Sequence, residues 1–222
     1  MLRPQQSVTQ RHVVAPAELY GRGLLQGDAV VARDLDGTVR RLPLEDWKAI
    51  RLPGDDGLVD RCCAGAVLDV GCGPGRLTVA VGATGVFALG LDVSRAAVAL
   101  ARARGARVLH RSVFVSLPGT GRWTSVLLAD GNVGIGGDPL GLLTRVRQLL
   151  TADGQVLVEV LAPGSSSRRT TVRLESGSRV SAWFPWAELS SDDVGTVASS
   201  CSLHVEDRWV EHGRHFVALV AA

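Results

Sequence analysis

The sequence is poor in net charge, in aromatic residues and in long unbroken apolar runs. Its 24 Lys and Arg residues stand against 22 Asp and Glu residues, a formal net charge of +2, and aromatic residues make up 5% of its 222 positions. A chain this close to neutral has no strong field to attract nucleic acid or a membrane surface, so we expect neither as a partner. With 46% apolar and 21% charged residues, the composition is globular and excludes a disordered or collagen-like chain.

Cysteine is scarce and unsuitably spaced for metal binding. The four cysteines are Cys62, Cys63, Cys72 and Cys201, of which two are adjacent and two isolated, whereas structural metal ligands come in short-spaced pairs. We therefore expect no metal site and a reduced protein. The N-terminus lacks the apolar segment of a signal peptide, and the longest apolar stretch, residues 77–93, is interrupted by glycines. A cytoplasmic location without a membrane span is expected.

From residue 66 onward, short apolar runs alternate with segments of helical periodicity. This alternation is typical of an α/β fold in which crossover helices cover a parallel sheet. The predicted strands are residues 66–70, 86–92, 106–110, 124–129, 155–161, 203–210 and 215–221, and the predicted helices, with their caps, are residues 76–83, 94–105, 138–150 and 190–202. Gly213 joins the last two strands as a hairpin. The prediction is a doubly wound, mostly parallel seven-stranded sheet with a C-terminal antiparallel strand.

Two further segments fall outside this alternation and are predicted to be appended β-hairpins. The first, residues 29–34 and 38–42, turns at Asp36-Gly37, a dipeptide that tight hairpin turns prefer. The second, residues 171–174 and 179–184, turns near Ser176-Gly177. We expect residues 1–60, which hold a loose polar tail, the first hairpin and lead-in helices, to form a lid or appendage. Residues 61–222 are expected to form the ligand-binding domain, with an insertion at about 164–186.

A glycine-rich turn directly after the first strand of the main sheet is the most informative segment. Gly71, Gly73 and Gly75 follow residues 66–70, and alternating glycines let a backbone turn tightly and approach a ligand closely. Asp92 ends the next strand, 21 residues after Gly71, where a carboxylate can accept hydrogen bonds from both hydroxyls of a ribose. The pattern therefore predicts an adenosine-containing ligand.

The spacing of the glycines bears on which adenosine-containing ligand this is. A dinucleotide fingerprint needs a glycine where this sequence has Arg76, and the Gly-Lys-Ser/Thr of a phosphate-binding loop is absent. A nicotinamide-dependent oxidoreductase is thus the weaker interpretation, and it stays open at this point.

Four segments of the sequence, taken in order, resemble class I S-adenosylmethionine-dependent methyltransferases. They are residues 68–75, 90–94, 128–132 and 149–158, and the resemblance covers residues 66–161. It implies a Rossmann-like fold, methyltransferase activity and S-adenosyl-L-methionine as the cofactor. The residues that it implies for cofactor binding are Asp69, Gly71, Cys72, Gly73, Pro74 and Gly75 at the amino-acid part, Asp92 and Val93 at the ribose, Ser112 and Val113 at the adenine, and Ala129, Asp130 and Asn132 between donor and acceptor.

No residue is assigned a catalytic role from the sequence, and three are candidates. Asp130 and Asn132 follow a central strand at the edge where open α/β sheets bind ligands. His110 ends the third strand and carries a side chain that titrates near neutral pH.

Other prominent residues have plain structural interpretations. Cys72 is predicted to be a small packing residue, since nothing near it in sequence would activate a thiol. The aromatic cluster at residues 183–186 is predicted to pack the second hairpin rather than to form an acceptor-binding wall. Arg168 and Arg169 are predicted to be a solvated loop pair.

These features together predict transfer of a methyl group to N, O or C of a small-molecule acceptor. The pocket is expected to be covered by the N-terminal hairpin and the insertion. Two alternatives remain, an NAD(P)-dependent oxidoreductase and a non-catalytic methyltransferase-like binding subunit. The sequence specifies neither the acceptor nor the oligomeric state.

Overall fold

The computed structural model describes residues 12–62 and 64–222, so the predicted polar tail and Cys63 lie outside the described residues. Its strands are β1 (His12–Val14), β2 (Val31–Asp34), β3 (Val39–Arg41), β4 (Ala66–Val70), β5 (Phe87–Asp92), β6 (Val108–His110), β7 (Trp123–Leu128), β8 (Leu150–Val160), β9 (Arg168–Ser176), β10 (Arg179–Ser181), β11 (Phe184–Glu188), β12 (Leu203–Glu211) and β13 (Arg214–Ala221). Its helices are α1 (Pro16–Gln26), α2 (Leu44–Lys48), α3 (Asp55–Asp60), α4 (Arg76–Ala83), α5 (Arg95–Ala103), α6 (Pro139–Leu149) and α7 (Val194–Ser199), and a 3₁₀ segment covers Asn132–Gly137.

The main sheet has seven strands in the order β12-β13-β8-β7-β4-β5-β6. The pairs among β8, β7, β4, β5 and β6 are all parallel, and β13 runs antiparallel to both of its neighbours. This confirms the predicted α/β fold with a C-terminal antiparallel strand. From β4 the chain first adds strands on one side and then on the other, and such a switch point opens a ligand crevice at the carboxyl ends of the strands.

The central strands are apolar along their whole length because helices cover both faces of the main sheet. Leu68 of β4 belongs to a buried cluster with Leu142 of α6 and Val194 of α7. Its neighbour Val67 belongs to a second cluster, on the opposite face, with Leu58 of α3. Period-2 alternation then puts Asp69 on the same face as Val67, toward α4.

The two predicted hairpins form one second sheet rather than two separate appendages. β2 pairs with β3, and its other edge pairs with β9 of the insertion, from Val31 opposite Glu175 to Asp34 opposite Val172. β10 and β11 both pair with the remaining edge of β9, and β1 lies parallel to β10. The N-terminal segment and the insertion therefore make a single structural unit.

The predicted second hairpin strand, residues 179–184, is in fact divided into β10 and β11. β10 pairs with β1. Trp183 then turns outward, and the guanidinium carbon of Arg173 lies 4.9 Å from the centroid of the Trp183 ring. The chain then returns to β9 as β11, so the inserted strands extend to Glu188 instead of ending near residue 186.

Two other elements differ in length from the prediction. α7 is shorter than the helix predicted over residues 190–202, because the Ser190 hydroxyl accepts a hydrogen bond from the Asp193 amide and holds residues 190–193 in a turn. β8 begins at Leu150, five residues before the predicted start.

Helix α1 fills the space between the two sheets. Pro16 begins it and Gly27, with φ of 72°, ends it in the left-handed conformation that glycine adopts without strain. Leu19 and Leu24 of α1 share one buried cluster with Ala97 of α5 and Leu174 of β9. α1 thereby fixes the second sheet beside the strand ends of the main sheet.

Candidate functional site

A cavity of about 800 Å³ lies between the carboxyl ends of the central parallel strands and the second sheet. This volume is within the range of about 300–1,000 Å³ that is usual for small-molecule pockets. Of the residues predicted to bind the cofactor, all except Gly75 line it: Asp69, Gly71, Cys72, Gly73, Pro74, Asp92, Val93, Ser112, Val113, Ala129, Asp130 and Asn132. The structure thus gathers residues from four strand ends into one cavity.

The glycine turn is held against the end of β5 by backbone hydrogen bonds. The amides of Gly71 and Cys72 both donate to the Leu91 carbonyl, at 2.8 and 2.9 Å. Gly71 and Gly73 adopt φ of 73° and 53°, which side chains with a Cβ rarely tolerate. Gly75 also has a positive φ, but a Cβ there would meet Ala101 and Ala106, so the third glycine permits packing against α5 rather than approach to the cavity.

Asp92 connects the glycine turn to the start of α5. Its Oδ2 accepts a hydrogen bond from the Gly73 amide at 2.9 Å, and its Oδ1 accepts one from the Ser94 amide at 2.7 Å. Burial raises the pKa of Asp92, and these hydrogen bonds oppose the rise. Because each carboxylate oxygen has two acceptor positions, Asp92 can hold the loop and still accept hydrogen bonds from a ligand hydroxyl.

Asp69 is a buried carboxyl group with one side-chain partner, the Thr78 hydroxyl. Thr78 of α4 donates to Asp69 Oδ2 at 2.6 Å. Burial raises the pKa of Asp69 from 3.8 to about 6, against the opposing effect of the Thr78 hydrogen bond. Asp69 lines the cavity, so a cationic ligand group there would favour its ionised form.

Asn132 and Asp130, two of the three catalytic candidates, have hydrogen-bonded side chains. Asn132 Nδ2 donates to the carbonyls of Val70 and Gly71, at 2.9 and 3.0 Å, so this amide braces the glycine turn. Asp130 has φ of 55°, and its amide donates to Glu159 Oε2 at 2.6 Å. Burial raises the pKa of Asp130, with Arg76 opposing the rise.

Asp130 belongs to a network of five buried or half-buried charged groups beneath the glycine turn. Arg76 is bonded to Asp55 and to Asp130, the latter at 2.6 Å. Arg214 binds both oxygens of Glu159, at 2.9 and 2.8 Å, and also contacts Asp55 and Asp130. Three carboxylates face two guanidinium groups, so the network carries one excess negative charge at the floor of the cavity.

His110, the third catalytic candidate, does not line the cavity. Its Nε2 lies 2.8 Å from the Val93 carbonyl, on the exposed side of the β5–β6 strand ends. The structure therefore does not bring His110 together with Asp130 and Asn132.

Tyr20 of α1 is a cavity residue that sequence reasoning missed. A Cβ on Gly73 would lie 3.0 Å from the Tyr20 hydroxyl, so the tyrosine closes over the glycine turn. Burial raises the pKa of Tyr20 well above its usual value, and the charge of Asp92 adds to the rise. Nothing in the local sequence marks this residue, because its role depends on how α1 packs.

The second sheet supplies the wall of the cavity opposite the strand ends. Phe184 and Trp186 of β11 line it, with ring centroids 6.4 Å apart in a T-shaped arrangement. The aromatic cluster is therefore both hairpin packing and cavity wall. Arg168 and Arg169 are in β9 rather than in a solvated loop: Arg168 binds Asp34 and Glu188, and Arg169 binds Asp138.

Glycines of the 3₁₀ segment allow β11 to pack closely against the exit of β7. A Cβ on Gly134 would lie 2.1 Å from the Ala187 carbonyl oxygen, and one on Gly137 would lie 2.6 Å from Pro185. At these two positions, the lack of a side chain allows the cavity wall to dock.

Comparison with known proteins gives a family for the central part of the chain. Residues 68–158 match the family profile described as "Methyltransferase domain". A search of curated proteins finds no match. The matched segment contains the glycine turn, Asp92 and Asp130, and it ends within β8.

Several solved structures share the fold at low sequence identity. An S-adenosylmethionine-dependent methyltransferase from Bacteroides fragilis, in complex with S-adenosyl-L-homocysteine, is 16% identical, with 96% of this chain and 99% of that chain covered and a TM-score of 0.76. A 1,6-didemethyltoxoflavin-N1-methyltransferase from Burkholderia thailandensis is 19% identical, with 80% and 79% covered and a TM-score of 0.55. An amino pentose methyltransferase from Micromonospora echinaspora is 17% identical, with 76% and 90% covered and a TM-score of 0.56.

The profile matches residues 68–158, and the fold of the chain is shared with solved S-adenosylmethionine-dependent methyltransferases. Both findings agree with the predicted family, with a methyltransferase enzyme and with S-adenosylmethionine as its cofactor. Of the helices within the described part of the chain, none has the length and apolarity needed to cross a membrane.

Proposed function

We propose that this protein transfers a methyl group from S-adenosylmethionine to N, O or C of a small-molecule acceptor. One observation carries the proposal: a single cavity is lined on one side by the glycine turn and Asp92, and on the other by the aromatic wall of the second sheet. Its volume of about 800 Å³ is toward the upper end of the usual range. It offers room for a donor and an acceptor side by side.

The charges on the donor side of the cavity fit a sulfonium amino acid. S-adenosylmethionine carries one more positive than negative charge, and the network around Asp130 has one excess negative charge. We assign the ribose hydroxyls to Asp92, the amino-acid part to Asp69 and the glycine turn, and the adenine edge to Ser112 and Val113.

Positioning supplies most of the catalysis in this proposal. S-adenosylmethionine supplies, when bound, a methyl group on a sulfonium whose leaving group is a neutral thioether. Holding two reactants in line contributes about 7–11 kcal/mol in favourable cases. Asn132 and Asp92 keep the glycine turn in place, and the wall at Trp186 confines the acceptor, so the protein needs no strong general base.

The second sheet, in this proposal, acts as a cap that selects the acceptor. It joins the predicted appendage, residues 1–60, to the predicted insertion near residues 164–186, and it packs against the domain of residues 61–222. The B. thailandensis relative binds 1,6-didemethyltoxoflavin and the M. echinaspora relative acts on an amino pentose. These relatives support a small-molecule acceptor for this chain also.

Calorimetric titration with S-adenosylhomocysteine, and in parallel with NADH, tests the donor assignment. We expect the wild-type protein to bind S-adenosylhomocysteine and not NADH. Asp92→Asn removes the charge that accepts the ribose hydrogen bonds, and hydrogen bonds to charged groups contribute about 1.5–3 kcal/mol. The Kd should therefore rise about ten- to a hundredfold.

Asp207→Asn is the matched control, since Asp207 is an exposed carboxylate of β12 that pairs with Arg61. It should leave the Kd for S-adenosylhomocysteine unchanged. Tighter binding of NADH would support an oxidoreductase instead. Donor binding without release of S-adenosylhomocysteine from S-adenosylmethionine, over a broad panel of acceptors, would support a non-catalytic subunit.

A further inference from the structure

One face of the second sheet lines the cavity, and its register shows which side chains share that face. Ala32 of β2 lies opposite Arg40 of β3 and Leu174 of β9, and Glu188 of β11 lies opposite Arg168. Directly paired residues of antiparallel strands project from the same face. The members of this face that line the cavity are Ala32, Arg40, Val172, Leu174, Phe184, Trp186 and Glu188.

Most of this face is apolar, with one polar cluster of four charged residues. We call Asp34, Arg40, Arg168 and Glu188 the cap cluster. Arg168 binds one oxygen of each carboxylate, Asp34 Oδ2 and Glu188 Oε2, both at 2.6 Å. Arg40 reaches the same two carboxylates only at 3.4 and 3.3 Å, through its NH1 group.

Arg40 is therefore the member of the cap cluster with hydrogen-bonding capacity left for a ligand. A guanidinium has five N–H donors in a planar fork, and the described contacts of Arg40 to carboxylates use one nitrogen. Arg40 also lines the cavity, on the same face of the second sheet as Phe184 and Trp186. The cap-cluster carboxylate that lines the cavity, Glu188, by contrast already binds Arg168.

We propose that Arg40 anchors the methyl acceptor, and that the acceptor is a flat, largely apolar molecule carrying an anionic oxygen group such as a carboxylate or phenolate. This inference rests on the proposed function, because it concerns the acceptor end of the same cavity. The planar fork of Arg40 binds the anionic group, and Phe184 and Trp186 contact the ring.

The charge distribution along the cavity supports an anion at this end. The donor end carries the excess negative charge of the Asp130 network, whereas the cap cluster is balanced and Arg41 adds a further cation to the lining. The carboxylate that a cationic acceptor would meet at this wall, Glu188, is already bound to a guanidinium group. An anionic acceptor, by contrast, would be attracted both by Arg40 and by the positive sulfonium of the donor.

Two probes with the same ring and opposite charges test this proposal by calorimetry. The probes are 2-naphthoate and 2-naphthylmethylammonium, each titrated into protein saturated with S-adenosylhomocysteine, which has no sulfonium charge of its own. We expect 2-naphthoate to bind the wild type at least tenfold more tightly. Arg40→Gln should weaken 2-naphthoate about tenfold or more without weakening the ammonium probe, and Arg40→Lys should give an intermediate affinity.

Arg33→Gln is the matched control, because Arg33 lies next to Ala32 on the opposite face of β2 and pairs with Glu175. It should leave both affinities unchanged. Tighter binding of the ammonium probe, equal 2-naphthoate affinity in wild type and Arg40→Gln, or no binding of either probe would each overturn the proposal. If Arg40→Gln does not fold, the wild-type probe pair and Arg40→Lys still decide it. Failure of S-adenosylhomocysteine to bind the wild type would instead overturn the proposed function.

Discussion

Asp69 is a carboxyl group at the tip of a buried strand, with a pKa of about 6 in the folded protein against an ordinary value of 3.8. A raised pKa means that the folded state favours the neutral form. The stability contributed by neutral Asp69 is therefore fully present below about pH 4 and is lost as the pH rises through about 6. At 1.36 kcal/mol per pKa unit, the loss amounts to about 3 kcal/mol.

Asp69→Asn should remove this pH dependence, since an amide oxygen can still accept the Thr78 hydrogen bond. We expect the free energy of unfolding of the ligand-free wild type, relative to Asp69→Asn, to fall by about 3 kcal/mol between pH 4 and pH 7. Urea denaturation at several pH values measures this difference. A difference that stays constant over this range would contradict the raised pKa.

The sequence was sufficient to predict most of the cavity residues at the strand ends of the main sheet, because they lie in short contiguous motifs. Asp69, Gly73 and Asp92 owe their positions to β4 and β5, which pair as neighbours in the sheet. Tyr20 and Arg40 could not be predicted, because they reach the cavity only through the packing of α1 and the pairing of β3 within the second sheet.

At the level of elements, the contact between β11 and the 3₁₀ segment Asn132–Gly137 holds the cavity wall in place. Gly134→Ala would put a Cβ 2.1 Å from the Ala187 carbonyl oxygen and 2.8 Å from the Trp186 ring. Overpacking of this kind typically costs about 1–3 kcal/mol. We expect urea denaturation to show a loss of that size and tryptophan fluorescence to report a displaced Trp186.

Gly82→Ala is the control for this substitution. Gly82 is in α4, and an added Cβ there meets no atom within 4 Å. Alanine is favoured over glycine in a helix by about 1 kcal/mol, so this variant should be more stable than the wild type. Equal stabilities for Gly134→Ala and the wild type would show that β11 is not tightly docked.

Hydrophobic periodicity predicted the elements of the main sheet but not the strand pairing of the second sheet. The turn at Asp36-Gly37 was recognised locally, but local signals cannot show that β2 also pairs with β9. The division between β10 and β11 was missed for the same reason. β10 pairs with the distant strand β1, whereas β11 pairs with β9, and local signals show neither pairing.

At the scale of the whole molecule, Arg214 ties three parts of the chain together. This residue of β13 contacts Asp55 in the lead-in segment, Asp130 after β7 and Glu159 of β8. Arg214→Met would leave three carboxylates with Arg76 as their one remaining guanidinium in the network. Breaking a buried ion pair costs about 3–5 kcal/mol, and we expect that loss in the free energy of unfolding.

Arg51→Met provides the comparison, because Arg51 and Asp56 form an exposed pair. An exposed ion pair contributes about 0–1 kcal/mol, so this variant should unfold near the wild-type urea concentration. Adding Glu159→Gln to Arg214→Met should restore part of the loss, since it removes one unpaired charge. Similar unfolding free energies for Arg214→Met and Arg51→Met would contradict a structural role for the network.

The pairing of β2 with β9 also bears on biosynthesis. Val31 and Glu175 are partners 144 positions apart, so one edge of β2 stays open until β9 has been synthesised. Contacts of such long sequence separation slow folding and leave strand edges exposed to aggregation. We therefore expect the free edge of β2 to be a site of aggregation while the chain is being synthesised.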